Sequence, residues 1–177
     1  MSDGTFPILY LGLLVGLLAV VTVFLFRQVL RTRRVETRLS KLQNKLKKEK
    51  GTAQEHYELG TLFLDKRLYT QAIAEFQKAL KSKDLEGNEN TALLHNGIGY
   101  GYAAQEQYDL AIRSYKEAIG LVPDYVTALN NLGFAYEKKQ LIAQAVEAYE
   151  SALKADPKNK VAERRAQSLR KRLVPTS

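Results

Sequence analysis

No cysteine occurs in this sequence, which excludes disulfides, thiolate metal sites and cysteine nucleophiles. Histidine is nearly as scarce: His56 and His95 are too few for a histidine-rich metal centre. No phosphate-binding glycine loop is present, nor any convergent set of nucleophile, base and oxyanion donors. The residues therefore offer no enzyme, no cofactor and no small-molecule substrate. Charge is missing from the first 26 residues except at Asp3. Acidic residues are sparse over 27–50, where ten Lys or Arg stand against Glu36 and Glu49, a net of +8. Residues 51–177 hold 17 basic and 16 acidic side chains and are nearly neutral. The basic excess thus belongs to one segment beside a hydrophobic run. There it reads as membrane-topology and lipid-surface charge rather than as a nucleic-acid footprint.

The hydrophobic run is Phe6 to Phe26, FPILYLGLLVGLLAVVTVFLF, 21 residues without a charge. As a helix it spans about 32 Å, matching a hydrocarbon core of about 30 Å. A cleaved signal peptide would need a positive n-region, a shorter core and a small-residue cleavage site. MSDGT has no basic residue, and Arg27 follows the run directly. The reading is an uncleaved transmembrane helix at 6–26. By the positive-inside rule the C-terminal bulk faces the cytoplasm or its equivalent, and residues 1–5 lie across the membrane. Arg27, Arg31, Arg33 and Arg34 are the residues placed to meet anionic lipid. Gly12 and Gly16, with Ala19, set small residues on one face where a second helix could approach.

Residues 27–50 contain no Gly or Pro and predict a basic helical stalk continuing from the span. Val35, Leu39, Leu42 and Leu46 make an apolar seam about two heptads long, short for a coiled coil. It suits packing on the next helical segment of the chain, or a helix lying on the bilayer. Gly51 interrupts, and Thr52 with Glu55 forms a capping box that opens a new helix.

From there the chain repeats. Gly99, Tyr102, Ala111, Tyr115, Ala118 and Pro123 recur 34 residues later as Gly133, Tyr136, Ala145, Tyr149, Ala152 and Pro157. Upstream stand Gly60, Phe63, Ala72, Phe76 and Ala79, at an offset of 39, which puts five extra residues in the connection 81–91. This is the tetratricopeptide signature. It predicts an all-α fold: three helix pairs at 51–86, 92–125 and 126–159 in a short right-handed solenoid, with a capping helix at 160–173. The glycines are expected to meet Ala72, Ala111 and Ala145, the aromatics to fill the space between repeats, and Val161, Ala162, Ala166, Leu169 and Leu173 to form the inner stripe of the cap. His56 and His95 occupy one register position and read as core filler.

In this fold the first helix of each repeat lines a concave groove. Its inward residues are expected to be Tyr57, Thr61 and Leu64; Asn96, Tyr100 and Ala103; Asn130, Phe134 and Glu137, each set on one helical face. A polar and aromatic groove suits a peptide or a protein edge. Chaperone-binding relatives grip a carboxylate with a clamp of Lys, Arg and Asn. The matching places here hold Tyr57, Thr61, Gly97, Thr127 and Asn131, with no cation.

The order of parts, with the stalk FRQVLRTRRVETRLSKLQNKLKKEKGTAQEHYELG, resembles the tetratricopeptide photosystem I assembly proteins of cyanobacteria and plastids along essentially the whole chain. The resemblance implies a single-pass thylakoid membrane protein with its repeats on the cytoplasmic or stromal side. It implies protein subunits of photosystem I, or assembly intermediates, as partners. A general membrane-anchored adaptor or import receptor on the same scaffold is the alternative.

Overall fold

A computed structural model of the chain describes residues 5–173. The short N-terminus read at 1–5 falls, apart from Thr5, outside them. Two compact units are present, one ending at Lys45 and the other starting at Leu46. Among the described residues the elements are eight α-helices and no strand.

The first unit is one helix, α1 (Thr5–Leu46), unbroken for 42 residues. Pro7 sits in its first turn, where the missing N–H has no intrahelical acceptor to leave empty. Thr22 donates its hydroxyl to the Leu18 carbonyl at 2.7 Å, so this polar side chain inside the apolar run is satisfied by its own helix. Apolar side chains from Leu9 to Phe26 are exposed, and the helix is long and apolar enough to cross a membrane. A Cβ on Gly12 or Gly16 would meet nothing within 4 Å.

In the second unit the chain turns at residues 47–52 before α2 (Ala53–Asp65). Thr52 Oγ1 accepts from the Glu55 N–H at 3.2 Å, and Glu55 Oε2 accepts from the Thr52 N–H at 3.1 Å, completing the capping box. Three antiparallel pairs follow: α2 with α3 (Tyr69–Leu80), α4 (Asn88–Ala104) with α5 (Tyr108–Leu121), and α6 (Val126–Lys138) with α7 (Ile142–Ala155). Each pair packs on the next, and α8 (Lys160–Leu173) covers α7.

Inside each pair the rings, expected between repeats, also press on the glycines. A Cβ on Gly60 would lie 2.5 Å from the Phe76 ring, on Gly99 2.6 Å from Tyr115, and on Gly133 2.8 Å from Tyr149. The nearest neighbour of each glycine is the aromatic ring of its own repeat. Phe76 also fills the space towards the next repeat, since a Cβ on Gly97 would meet it at 2.8 Å. The three rings are almost wholly buried, at 1–2% exposure. Ala72, Ala111 and Ala145 are fully buried on the same helices as the rings.

Helices α2, α4 and α6 end alike. Arg67, Glu106 and Gln140 each take φ 59, and the next N–H reaches back to the carbonyl of Phe63, Tyr102 or Tyr136. These are Schellman endings with a non-glycine residue in the left-handed position. Left-handed backbone costs an L-residue about 1–2 kcal/mol, partly offset for glycine by its larger unfolded-state entropy. Glu106→Gly should therefore raise stability by about 0.5 kcal/mol, and Glu106→Val should lower it by about 1 kcal/mol or more. Thermal melts of the two variants check this; a loss in both would mean the turn does not hold that conformation in solution.

Two further expectations are corrected. The five extra residues do not all form loop: α4 starts at Asn88, one turn earlier than its counterpart α6, with Gly87 before it at φ 83. On α8 only Ala162, Ala166 and Leu169 face inward, while Val161 and Leu173 are exposed. Its arginines hold the cap by ion pairs: Arg165 to Glu137 at 2.9 Å and Arg170 to Glu150 at 2.6 Å.

Candidate partner groove

The candidate groove residues come from α2, α4 and α6, which recur in register along the array. Tyr57, Thr61 and Leu64 on α2 are half-buried. Thr61 returns its hydroxyl to the Tyr57 carbonyl at 2.9 Å, and the Tyr57 ring lies tilted 5.9 Å from Phe76. Both residues are therefore braced by their own repeat. Asn96 and Ala103 on α4 are half-buried as well, whereas Tyr100 is 47% exposed. On α6, Asn130 and Glu137 are half-buried and Phe134 is 38% exposed. Tyr100 and Phe134 sit 34 residues apart, at the same place in successive repeats, and both present partly exposed aromatic surface. Leu93, on the same stripe of α4 as Tyr100, is 38% exposed.

Polar groups between these rings are linked across repeats. Asn131 Nδ2 donates to Asn96 Oδ1 at 2.9 Å. Burial raises the Tyr125 phenol pKa, with the Tyr57 phenol acting in the same direction and the Asn96 side chain opposing. The amide oxygen of Asn130 is buried with no partner among the described residues. An unpaired buried acceptor costs about 1–3 kcal/mol, which an incoming N–H or O–H would relieve. Lys138 Nζ lies over the Phe134 ring at 5.5 Å, a cation–π contact at the groove edge.

Glu137 differs from its neighbours. It accepts from Arg165 at 2.9 Å and from the Tyr149 hydroxyl at 3.3 Å, so it is tied to the cap and to the third repeat's packing ring. Burial first, and then the Glu137 charge, push the Tyr149 phenol well above its ordinary value, and Arg165 opposes this. Glu137 thus ties α6 to α7 and to the cap, contacts that its helical register alone does not show.

His56 is more than core filler. His56 Nδ1 lies 2.7 Å from Glu75 Oε2, and the other oxygen of Glu75 takes Lys78 Nζ at 2.7 Å. Sequence spacing could not show this, because the partners lie on different helices. His95 is half-buried; burial lowers its pKa, and the nearby Glu117 charge opposes the shift. Among residues 5–173 no group of three or more His, Cys, Asp or Glu is placed to hold a metal.

Family profiles match this chain at three places: tetratricopeptide repeat at residues 54–84, TPR repeat at 99–140 and tetratricopeptide repeat at 126–159. The chain is 37% identical to the uncharacterized protein ycf37 of Cyanophora paradoxa over 161 residues, 91% of each chain. It is 38% identical to the chloroplastic tetratricopeptide repeat domain-containing protein PYG7 of Arabidopsis thaliana over 93% of this chain and 54% of that one. Among solved structures, MamA shares the fold with a TM-score of 0.72 at 22% identity, covering 81% of both chains.

Proposed function

Because this chain belongs to the tetratricopeptide-repeat family represented by ycf37 and PYG7, we propose that it is a membrane-anchored, non-catalytic scaffold that holds subunits of photosystem I, or of its assembly intermediates, while that complex is built or stabilised. One observation carries the reading. A match over 161 residues to ycf37 cannot come from the repeats and cap alone, which occupy residues 51–173. The likeness includes the N-terminal helix and its basic continuation, the part whose order most resembles the photosystem I assembly family. PYG7 is chloroplastic, which agrees with a thylakoid membrane.

In this reading α1 is the anchor. Its apolar part, through Phe26, spans the bilayer, and Arg27, Arg31, Arg33 and Arg34 meet the headgroups, each worth about 1 kcal/mol near anionic lipid. The repeats stand on the cytoplasmic or stromal side. Tyr100 and Phe134 supply rigid aromatic contact area in the groove at little conformational cost.

Three measurements test this. Carbonate washing of thylakoids should leave the protein in the pellet, and its release would remove the anchor. Protease added on the cytoplasmic or stromal face should digest the repeats; their protection in right-side-out membranes would reverse the topology. Deleting the gene should lower photosystem I while sparing photosystem II. Normal photosystem I under several light regimes would discard the photosystem reading in favour of a general membrane adaptor or import receptor.

A further inference from the structure

A cleft of about 590 Å³ opens in the repeat unit between the turn after α1 and the C-terminal end of α3. Its lining includes Lys50 from the turn after α1, Lys78, Lys81 and Lys83 from the end of α3 and just beyond it, and His56 from α2. None of the nine candidate groove residues lines it, so it is a separate surface.

The carboxylates nearby are largely engaged. Glu75 is taken up by His56 and Lys78, each at 2.7 Å. Asp84 accepts from the Ala53 N–H at 3.0 and 3.2 Å, closing the N-terminus of α2. Lys50, Lys81 and Lys83 have no ion pair among the described residues, and of the carboxylates lining the cleft only Glu49 is otherwise uncommitted. Lysines just past α3 do complement the negative end of that helix, an effect of a few tenths of a kcal/mol. Lys50 has no such role: it comes from the turn after α1 and still lines the same space. The Nε2 of His56 is the ring atom nearest to a Cβ built on Gly51, at 2.8 Å, so with Nδ1 on Glu75 the other nitrogen faces the cleft lining.

We propose that this cleft is a second docking site, which takes an acidic segment of a partner protein and sets its carboxylates against Lys50, Lys81 and Lys83. A cleft of about 590 Å³ has room for several residues of an extended chain. The choice of a protein segment over lipid rests on shape: the lysines line a cleft with two walls, which an extended chain can enter and a flat bilayer surface cannot.

The test uses the full chain in neutral detergent micelles, with hexaglutamate as the probe and backbone amide NMR shifts as the readout. Shifts should appear at Gly51, His56 and residues 81–84, and affinity should fall steeply with salt. The triple variant Lys50→Gln, Lys81→Gln, Lys83→Gln should lose affinity about tenfold or more. Neutralising Arg27, Arg31, Arg33 and Arg34 to Gln should leave it unchanged. Unchanged affinity in the lysine variant would overturn the proposal, as would shifts confined to the groove. Inorganic phosphate binding as tightly as hexaglutamate would make it a small-anion site instead. Vesicles containing phosphatidylglycerol that bind through the three lysines, when hexaglutamate does not, would make it a lipid site. Because the probe needs no photosystem subunit, failure here is distinct from failure of the photosystem reading.

Discussion

Gly133→Leu should lower the thermal midpoint of the repeat unit by about 4–12 °C. Even a methyl group at Gly133 would lie 2.8 Å from the Tyr149 ring, closer than real side chains approach. The ring cannot step aside: it is 2% exposed, and its hydroxyl reaches Glu137, which in turn holds Arg165 of the cap. Either α6 and α7 move apart or the ring tilts into the α8 interface. Overpacking of this kind costs about 1–3 kcal/mol, and a domain of this size shifts by about 4 °C per kcal/mol. Gly120→Ala is the matched control. It too replaces a helical glycine, but a Cβ there meets nothing within 4 Å. With no clash, helix propensity decides, and the change should stabilise by about 0.5–1 kcal/mol. A circular-dichroism melt showing equal midpoints for Gly133→Leu and wild type would remove the glycine–aromatic contact from the account of this fold.

The repeat period was legible because each of its positions serves the same packing need three times. A pattern at a fixed offset names which residues recur, and so it located all three helix pairs and the cap. It does not say which recurring residue touches which. Gly60, Ala72 and Phe76 are equally periodic, and only the geometry shows that the ring is the glycine's nearest neighbour. The left-handed turns left no trace either, since Arg67, Glu106 and Gln140 are none of the residues that conformation favours. The five extra residues were countable, but whether they form loop or helix depends on Gly87 and on Asp84 engaging Ala53 from 31 residues away. Helical register likewise put Glu137 in the groove, but its bond to Arg165 crosses 28 residues, and register carries no information at that range. The lysine cleft is hidden for the same reason. By sequence Lys50 belongs to the stalk, while Lys81 and Lys83 belong to a nearly neutral repeat region.

Tyr100→Ala together with Phe134→Ala should weaken the partner held in the groove by about 2 kcal/mol or more, roughly thirtyfold. The two rings are the most exposed of the nine candidate residues and repeat at the same position, so an extended segment along α4 and α6 would cross both. Their removal should leave the fold intact. Neither ring touches a packing glycine; those sites are filled by Phe76, Tyr115, Tyr149 and Ile73. Lys138 loses its cation–π contact with Phe134, worth about 0.5–1 kcal/mol at an exposed site, too little to unfold a repeat. In cells the double variant should accumulate to normal levels and stay in the membrane, yet photosystem I should fall towards the level of the deletion strain. Tyr57→Ala makes a poor substitute, because that ring also packs near Phe76 and its loss would mix stability with binding. If the double variant builds normal photosystem I while the deletion does not, the groove is not the contact. The lysine variant of the cleft then becomes decisive. Loss of photosystem I in that variant alone would place the partner on the turn after α1 and the end of α3. Loss in neither would point to α1 and its basic continuation.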